Sequence, residues 1–406
     1  MDYQETIDWM YARLPMFQRQ GAAAFRNNLD NIKLLDTHLD HPHDLYKTIH
    51  VAGTNGKGSV SHMLAAILQD AGYKVGLYTS PHLKDFRERI RINGSMIPEG
   101  GVISFIEKHG AFIEQHQLSF FELTVGMAFD YFANEKVDVA VIEVGLGGRL
   151  DATNIINPEV SVITNIGLDH TTFLGTTLAE IAGEKAGVIK KSIPVIIGEK
   201  QPETTTVFVQ AAVDKGCEIS FASSENYPDY PSDLKGNYQK QNRKTVLKTV
   251  EVLQSQGSFL ITPESIKKGI QNAAKCTGMK GRWQQLRERP KVVCDTGHNR
   301  EGLIQVMEQL GHEKYKRLHI VLGMVKDKDL ESVLPLFPYG ATYYFCRPDL
   351  ARGLDETFLK DCAADYGLFG ESYRSVKEAY NASLKHSKSE DFIFVGGSTF
   401  VVAEII

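Results

Sequence analysis

Lys57 stands in a setting suited to binding phosphate. The run Ile49-His50-Val51-Ala52-Gly53-Thr54-Asn55-Gly56-Lys57-Gly58-Ser59 is a short β-type stretch, a glycine-rich turn holding one lysine, and the start of a helix. Glycines let backbone N–H groups turn inward and approach a polyphosphate closely. The helix N-terminus adds partial positive charge and Lys57 a full one. Thr54, Asn55, Gly56, Lys57, Gly58 and Ser59 are therefore the candidate nucleotide-binding residues. The spacing departs from G-x-x-x-x-G-K-[ST]: Val51 stands where the first glycine is expected, and Gly58 separates Lys57 from Ser59. A plain glycine-rich turn accounts for the glycines, but not for strand, turn, lysine, hydroxyl and amphipathic helix in that order.

Further chemistry-bearing residues follow buried-type runs. In open parallel sheets, ligands gather beyond the carboxyl ends of the strands, so these positions come first. Ser80 follows Val75–Thr79, and a turn cap is its plain alternative role. Glu143 ends Val139-Ala140-Val141-Ile142 and precedes a glycine-rich turn with Arg149, Leu150 and Asp151. A carboxylate ending a buried strand is costly unless it is paired or bound to metal. His170 closes Asn165-Ile166-Gly167-Leu168-Asp169-His170 after Val160–Thr164; on its own it reads equally as a satisfied surface or core histidine. Lys185 lies among small and apolar residues, an odd place for a solvated lysine unless it snorkels. Nearer the C-terminus, Asp295-Thr296-Gly297-His298-Asn299 again follows a strand, and Gly396-Gly397-Ser398-Thr399 offers a second anion nest.

The elements that must hold these residues alternate between strand and helix, which implies an α/β fold with a parallel sheet covered on both faces. After Ser59 the apolar spacing of Val60, Met63, Leu64, Ile67, Leu68 and Ala71 predicts an amphipathic helix. Residues 1–45 read as helical, broken at Pro15, with Gly21 soon after and a second helix opening at Leu29-Asp30-Asn31-Ile32. A second strand series begins with Lys291–Cys294 and continues through Leu318–Leu322, Thr342–Phe345 and Phe392–Val395. The expected division is residues 1–285, a P-loop ATPase domain with a helical N-terminal segment, and residues 286–406, a smaller doubly wound α/β domain. The basic stretch from Lys280 to Pro290 is the linker candidate, and Tyr227–Pro231 reads as an exposed loop.

With 406 residues, 42% hydrophobic and 23% charged, the chain can bury full cores. A net charge of −5 with signs mixed along the chain argues against a nucleic-acid surface. Five dispersed cysteines without a C-x-x-C pair suggest reduced thiols and a cytoplasmic protein rather than a disulfide framework or zinc site. No apolar run approaches the ~20 residues of a membrane span, and the acidic start lacks the order of a signal peptide.

Together these motifs resemble the folylpolyglutamate synthase/dihydrofolate synthase family, within the Mur ligase superfamily. The resemblance rests on His50–Ser59, Thr79-Ser80-Pro81-His82-Leu83, Glu88-Arg89-Ile90-Arg91-Ile92, Glu143 through Asn154, Asn165–His170, Glu184-Lys185-Ala186-Gly187, Gly281-Arg282, and Asp295 with His298-Asn299, in family order. It implies an ATP-dependent amide ligase that phosphorylates a folate-type carboxylate and lets L-glutamate displace the phosphate. On that resemblance, Lys57, Glu143, His170 and Lys185 are catalytic. Ser80, Glu143 and His170 hold Mg²⁺, and Lys185 carries a carbamate. Asn242, Arg282 and Asp295 join the P-loop in binding ATP. Phe121, Glu122, Arg149, Leu150 and Asp151 belong to the pterin side, with His298 and Ser398 among the substrate residues of the second domain. The implied partners are folate or dihydropteroate and L-glutamate, without nucleic acid or membrane, and a monomer is expected. Two local departures stand out. The family's acid-Gly-Ala-His-Asn-Pro signature reads Asp295-Thr296-Gly297-His298-Asn299-Arg300, and Tyr238 replaces the usual histidine before Gln239. The competing readings are a Mur-type ligase for another acid, a P-loop kinase, and a nucleotide-binding module without turnover.

Overall fold

Each strand of the first series is a nearly unbroken apolar run, the composition of a strand buried on both faces. In the computed structural model, which describes residues 1–16 and 28–406, these runs pair into an eight-stranded sheet. Its strands are β1 (Lys47–Ala52), β2 (Val75–Tyr78), β3 (Ile90–Ile92), β4 (Ser95–Met96), β5 (Val139–Glu143), β6 (Val160–Ile163), β7 (Val195–Ile197) and β8 (Ile219–Phe221). The spatial order is β4-β3-β2-β5-β1-β6-β7-β8. Pairing is parallel except at one edge, where β3 runs antiparallel to β2 and β4 antiparallel to β3. The expected break at Pro15 agrees with a first helix Tyr3–Arg13, and the helix Asp30–His38 opens where expected; Phe17 and Gly21 lie outside the described residues.

This strand order places the site. β1 lies centrally, with β5 on one side and β6 on the other. The turns after β2, β5, β1 and β6 therefore open along one edge, bringing Ser80, Glu143, the glycine-rich turn and Asn165–His170 to neighbouring positions. The helix Lys57–Asp70 differs from the amphipathic expectation: Ser59 through Leu68 are all buried. Helices Pro263–Gln271, Ala273–Thr277 and Gln239–Ser255 pack against it, so its outer face is covered as well as its inner one.

The second series forms its own sheet from β9 (Gln284–Arg287), β10 (Lys291–Cys294), β11 (Leu318–Leu322), β12 (Thr342–Cys346), β13 (Gly370–Tyr373) and β14 (Phe392–Gly396), in the order β13-β12-β11-β14-β10-β9. Its core is aromatic-rich, with Trp283, Phe337, Tyr343, Phe345, Phe392 and Phe394 buried together. The two compact units are residues 1–233 with 239–279, and residues 234–238 with 280–406. The boundary thus falls at Met279/Lys280 rather than at 285/286, and the expected linker is corrected. Gln284–Arg287 is a strand pairing antiparallel with β10, which draws this stretch into the second unit. Among the described residues no helix is long and apolar enough to cross a membrane.

Candidate active site

The glycine-rich turn is held from the β6 side. The Thr54 N–H donates to the Asn165 carbonyl at 2.9 Å, the Asn55 N–H to Asn165 Oδ1 at 2.9 Å, and Thr164 Oγ1 to the Asn55 carbonyl at 2.5 Å. Two glycines are required there. Gly53 has φ +142°, and a Cβ would stand 1.8 Å from Thr164 Oγ1; Gly56 has φ +87°, and a Cβ would stand 2.4 Å from Asn242 Oδ1. Asn242 therefore reaches the turn, as expected. The following helix has no side-chain cap and no acid in its first turn, leaving its N-terminal N–H groups for an anion. Lys57 Nζ folds back onto the carbonyls of Gly53 (2.9 Å) and Thr54 (3.1 Å).

Glu143 is 4% exposed at the end of β5. Its Oε2 accepts the Ser80 N–H at 3.0 Å, and its Oε1 would lie 3.7 Å from a Cβ at Gly58. The carboxylate thus sits between the turn after β2 and the first helical turn after Lys57. Lys185 does not snorkel: it is 4% exposed and donates to the Gly53 carbonyl at 3.0 Å. Burial, and then repulsion from Lys57, lowers its pKa to about 7. His170 is half-buried at the head of a short helix, at φ +52°, with Nε2 4.0 Å from Asp169 Oδ2. Among the described residues no three His, Cys, Asp or Glu side chains converge as a cation cage. A set of one carboxylate and one hydroxyl, Glu143 and Ser80, fits a magnesium ion that keeps water and phosphate oxygens as its other ligands.

The carboxylates of Glu122 and Asp151 are bound internally. Glu122 accepts the Ser119 N–H at 2.7 Å and completes a capping box at the helix Phe120–Asn134. Asp151 is 5% exposed; Oδ1 accepts from the Thr153 N–H (3.0 Å) and hydroxyl (2.5 Å), and Oδ2 from the Leu146 N–H (2.8 Å). It closes the glycine-rich turn after Glu143. Burial pushes its carboxyl up, and these hydrogen bonds pull it back. Arg149 is exposed and pairs with Glu184 at 2.9 Å. Leu150 is half-buried, and Phe121 packs so close to Gly145 that a Cβ there would stand 2.3 Å from its ring.

In the second unit Asp295 is 2% exposed and accepts from the Tyr238 hydroxyl (2.6 Å), the Trp283 N–H (2.7 Å) and the Gly297 N–H (2.8 Å). Burial raises its carboxyl, opposed first by the nearby Arg282 charge. Arg282 is half-buried, the His298 Nδ1 lies 3.0 Å from the Thr296 carbonyl, and Ser398 caps the final helix at the Phe400 N–H. Sequence reasoning missed Thr164 and Gln239. Gln239 Nε2 donates to Ser59 Oγ at 3.0 Å and its Oε1 accepts from Asn242 Nδ2 at 2.8 Å, tying the helix Gln239–Ser255 to the turn. The proximity of Gln239 to Asn242 on one helix was the available signal.

A glycine-rich turn with a lysine at the centre of a parallel sheet, an anionic side chain beside it and a second α/β unit after it are the parts expected of a Mur-type ligase. Residues 51–262 match the Mur ligase middle domain and residues 281–399 the Mur ligase glutamate ligase domain. Within that class the chain belongs to the folylpolyglutamate synthase/dihydrofolate synthase family. It is 34% identical to the dihydrofolate synthase/folylpolyglutamate synthase of Bacillus subtilis, over 99% of this chain and 98% of the relative. It spans all of this chain but only 50% of the probable bifunctional folylpolyglutamate synthase/dihydropteroate synthase of Haloferax volcanii, at 32% identity. The solved structure of E. coli FolC in complex with DHPP and ADP superposes with a TM-score of 0.87 at 30% identity, covering 100% of this chain and 97% of that one. A bifunctional folylpolyglutamate synthase/dihydrofolate synthase with Mn, AMPPNP and L-glutamate bound gives 0.85 at 28% identity, covering 100% and 97%.

Proposed function

We propose that this chain is an ATP-dependent ligase that joins L-glutamate to a folate-type acid, dihydropteroate or a reduced folate, through an acyl phosphate. The observation that carries this reading is the convergence at one sheet edge. The uncapped helix N-terminus with Lys57 suits the nucleotide's phosphates, and Glu143 stands against it, linked to Ser80. Relatives with ADP, or with Mn, AMPPNP and L-glutamate, support the same nucleotide, a divalent metal and the same amino acid for this chain.

Lys57 and the N–H groups of the turn would orient the γ-phosphoryl and stabilise charge developing on it. Magnesium would add a second counter-charge, with Glu143 as the protein's anionic ligand and Ser80 and His170 completing its surroundings. Lys185 would carry a carbamate: its neutral amine, well populated near a pKa of about 7, adds to CO₂ and releases one proton. That replaces a buried cation with an anion suited to a metal. Thr54–Ser59 and Asn242 would bind ATP, together with Arg282 and Asp295 of the second unit. Phe121, Glu122, Arg149, Leu150 and Asp151 would shape the acid side, with His298 and Ser398 serving the substrates. Five free thiols suit a reducing compartment such as the cytoplasm.

The test is phosphate release with ATP, L-glutamate and, in turn, dihydropteroate and tetrahydrofolate. A folate ligase releases phosphate only when acid and amino acid are both present. A kinase leaves a phosphorylated product without glutamate, and a bare nucleotide-binding module shows no turnover. Either outcome would overturn the reading.

A further inference from the structure

Arg89 is a buried cation on which the buried Glu143 carboxylate acts without a direct ion pair. It is 3% exposed, and among the described residues no carboxylate pairs with it. Its Nε–H donates to His82 Nδ1 at 2.8 Å, and its guanidinium lies over the Phe120 ring at 5.3 Å. The Tyr78 hydroxyl also acts as a partner of the guanidinium, and no carboxylate among the described residues bonds its terminal nitrogens. Accepting this hydrogen bond at Nδ1 fixes His82 as the neutral Nε2–H tautomer, whose Nε2 lies 3.4 Å from the Tyr11 hydroxyl. The cluster therefore offers unused donors and one full charge. A buried guanidinium in no direct contact with a carboxylate gains from an anion that a ligand brings.

Geometry selects the ligand. The surroundings are aromatic: the Phe120 ring packs against Tyr11 at 5.6 Å and against Phe86 at 5.8 Å between ring centres. His82 lies two residues beyond Ser80, whose N–H holds Glu143 beside the phosphate turn. A nucleotide phosphate already has Lys57 and the helix N-terminus. What remains for Arg89 is an anion attached to a flat aromatic body at the far side of Glu143. We propose that the Arg89 guanidinium receives the carboxylate of an arylcarboxylic acid substrate in a two-point contact and presents it toward the phosphate turn. His82 acts as the positioning residue that orients the guanidinium. This rests on the proposed ligase reading.

The experiment compares pteroate with its primary carboxamide, by calorimetry on the full chain, alongside AMPPNP binding and dihydropteroate kinetics. A charged two-point contact predicts that the wild type prefers acid over amide by roughly tenfold or more, that Arg89→Met loses that preference, and that its KM for dihydropteroate rises by a similar factor. AMPPNP affinity should stay within about twofold, because the phosphate contacts are elsewhere. An Arg89→Met protein that keeps the preference, or weakens acid and amide equally, overturns the proposal. If Arg89→Met no longer binds AMPPNP, Arg89→Lys decides: it keeps the charge and stem but loses the planar fork, so the preference should fall by roughly threefold or more. An unchanged preference in Arg89→Lys overturns the proposal. Failure of the ligase reading shows separately, as a wild type with no glutamate-dependent phosphate release.

Discussion

Lys57 and Lys185 direct their Nζ atoms at one acceptor, the Gly53 carbonyl, at 2.9 and 3.0 Å. Two ammonium groups on a single oxygen repel one another, and the buried partner yields: Lys185 is the one whose pKa falls to about 7, first through burial and then through Lys57. A lysine depressed in the folded state binds fewer protons there than in the unfolded chain between its folded and unfolded pKa values. Its burial therefore costs stability fully below pH 7, and the cost fades as the pH rises toward the ordinary lysine range near ~10.5. In CO₂-free buffer Lys185→Met should melt higher than the parent at pH 6–7, with the gap closing toward about pH 10. Parallel melting curves across that range would remove the buried-ammonium account.

A carbamate on Lys185 would give the same residue a second, opposite signature. Lys185→Ala should lose turnover, and acetate should restore part of it, because acetate returns the missing carboxylate near the metal. Methylammonium should not. Depleting the wild type of CO₂ and bicarbonate should lower activity reversibly. Rescue by the amine, or activity indifferent to CO₂, would show that Lys185 works as a cation on phosphate.

Lys57→Ala should cut turnover by roughly 10²–10³ or more while leaving the fold in place, the range seen when one donor to a developing charge is removed. Lys57 is half-buried and, among the described residues, bonds only carbonyls of its own turn, so its loss opens no core cavity. Circular dichroism and melting measured beside phosphate release separate the two effects. A mutant within about threefold of wild-type turnover would count against the phosphate cradle.

Glu143→Gln keeps the side chain's shape and its acceptor for the Ser80 N–H, but removes the charge. The magnesium concentration for half-maximal activity should rise about tenfold or more, with melting little changed, because an oxygen-ligated hard cation depends on anionic ligands. A magnesium titration superimposable on the wild type's would take Glu143 out of the metal's surroundings.

Much of this site was readable because parallel strands are legible. Val139–Ile142 and Val160–Ile163 are continuous apolar runs, and the polar residue after each lies at the sheet edge where ligands collect. The strands that escaped notice lack that pattern. Gly370-Glu371-Ser372-Tyr373 and Gln284–Arg287 are edge strands, shaped by their neighbours β12 and β10 rather than by their own composition. Side-chain duties were harder still. Glu122 and Asp151 sit in motif positions, yet one caps a helix and the other closes a turn. The contacts that give them these duties come from Ser119, Leu146 and Thr153, and only tertiary folding orients them. Thr164 escaped notice for the same reason, because a threonine ending a strand looks ordinary until its hydroxyl meets the Asn55 carbonyl.

Asp295 carries the last expectation. Its oxygens accept three donors within the second unit: the Tyr238 hydroxyl and Trp283 N–H on Oδ2, and the Gly297 N–H on Oδ1. An asparagine of equal size retains one acceptor oxygen and turns its NH₂ toward a donor, so at least one buried N–H or O–H loses its partner. The loss should cost about 1–3 kcal/mol. Tyr238→Phe removes a single donor and leaves the carboxylate two backbone partners, so it should cost less, about 1 kcal/mol. Urea unfolding of Asp295→Asn, Tyr238→Phe and the double variant measures both costs and their coupling. The double variant should be less destabilised than the sum of the singles, because both changes disturb one hydrogen-bonded cluster. Strict additivity would mean that the two side chains are not coupled in solution. A wild-type-like midpoint for Asp295→Asn would show that this carboxylate is not a structural centre of the second unit.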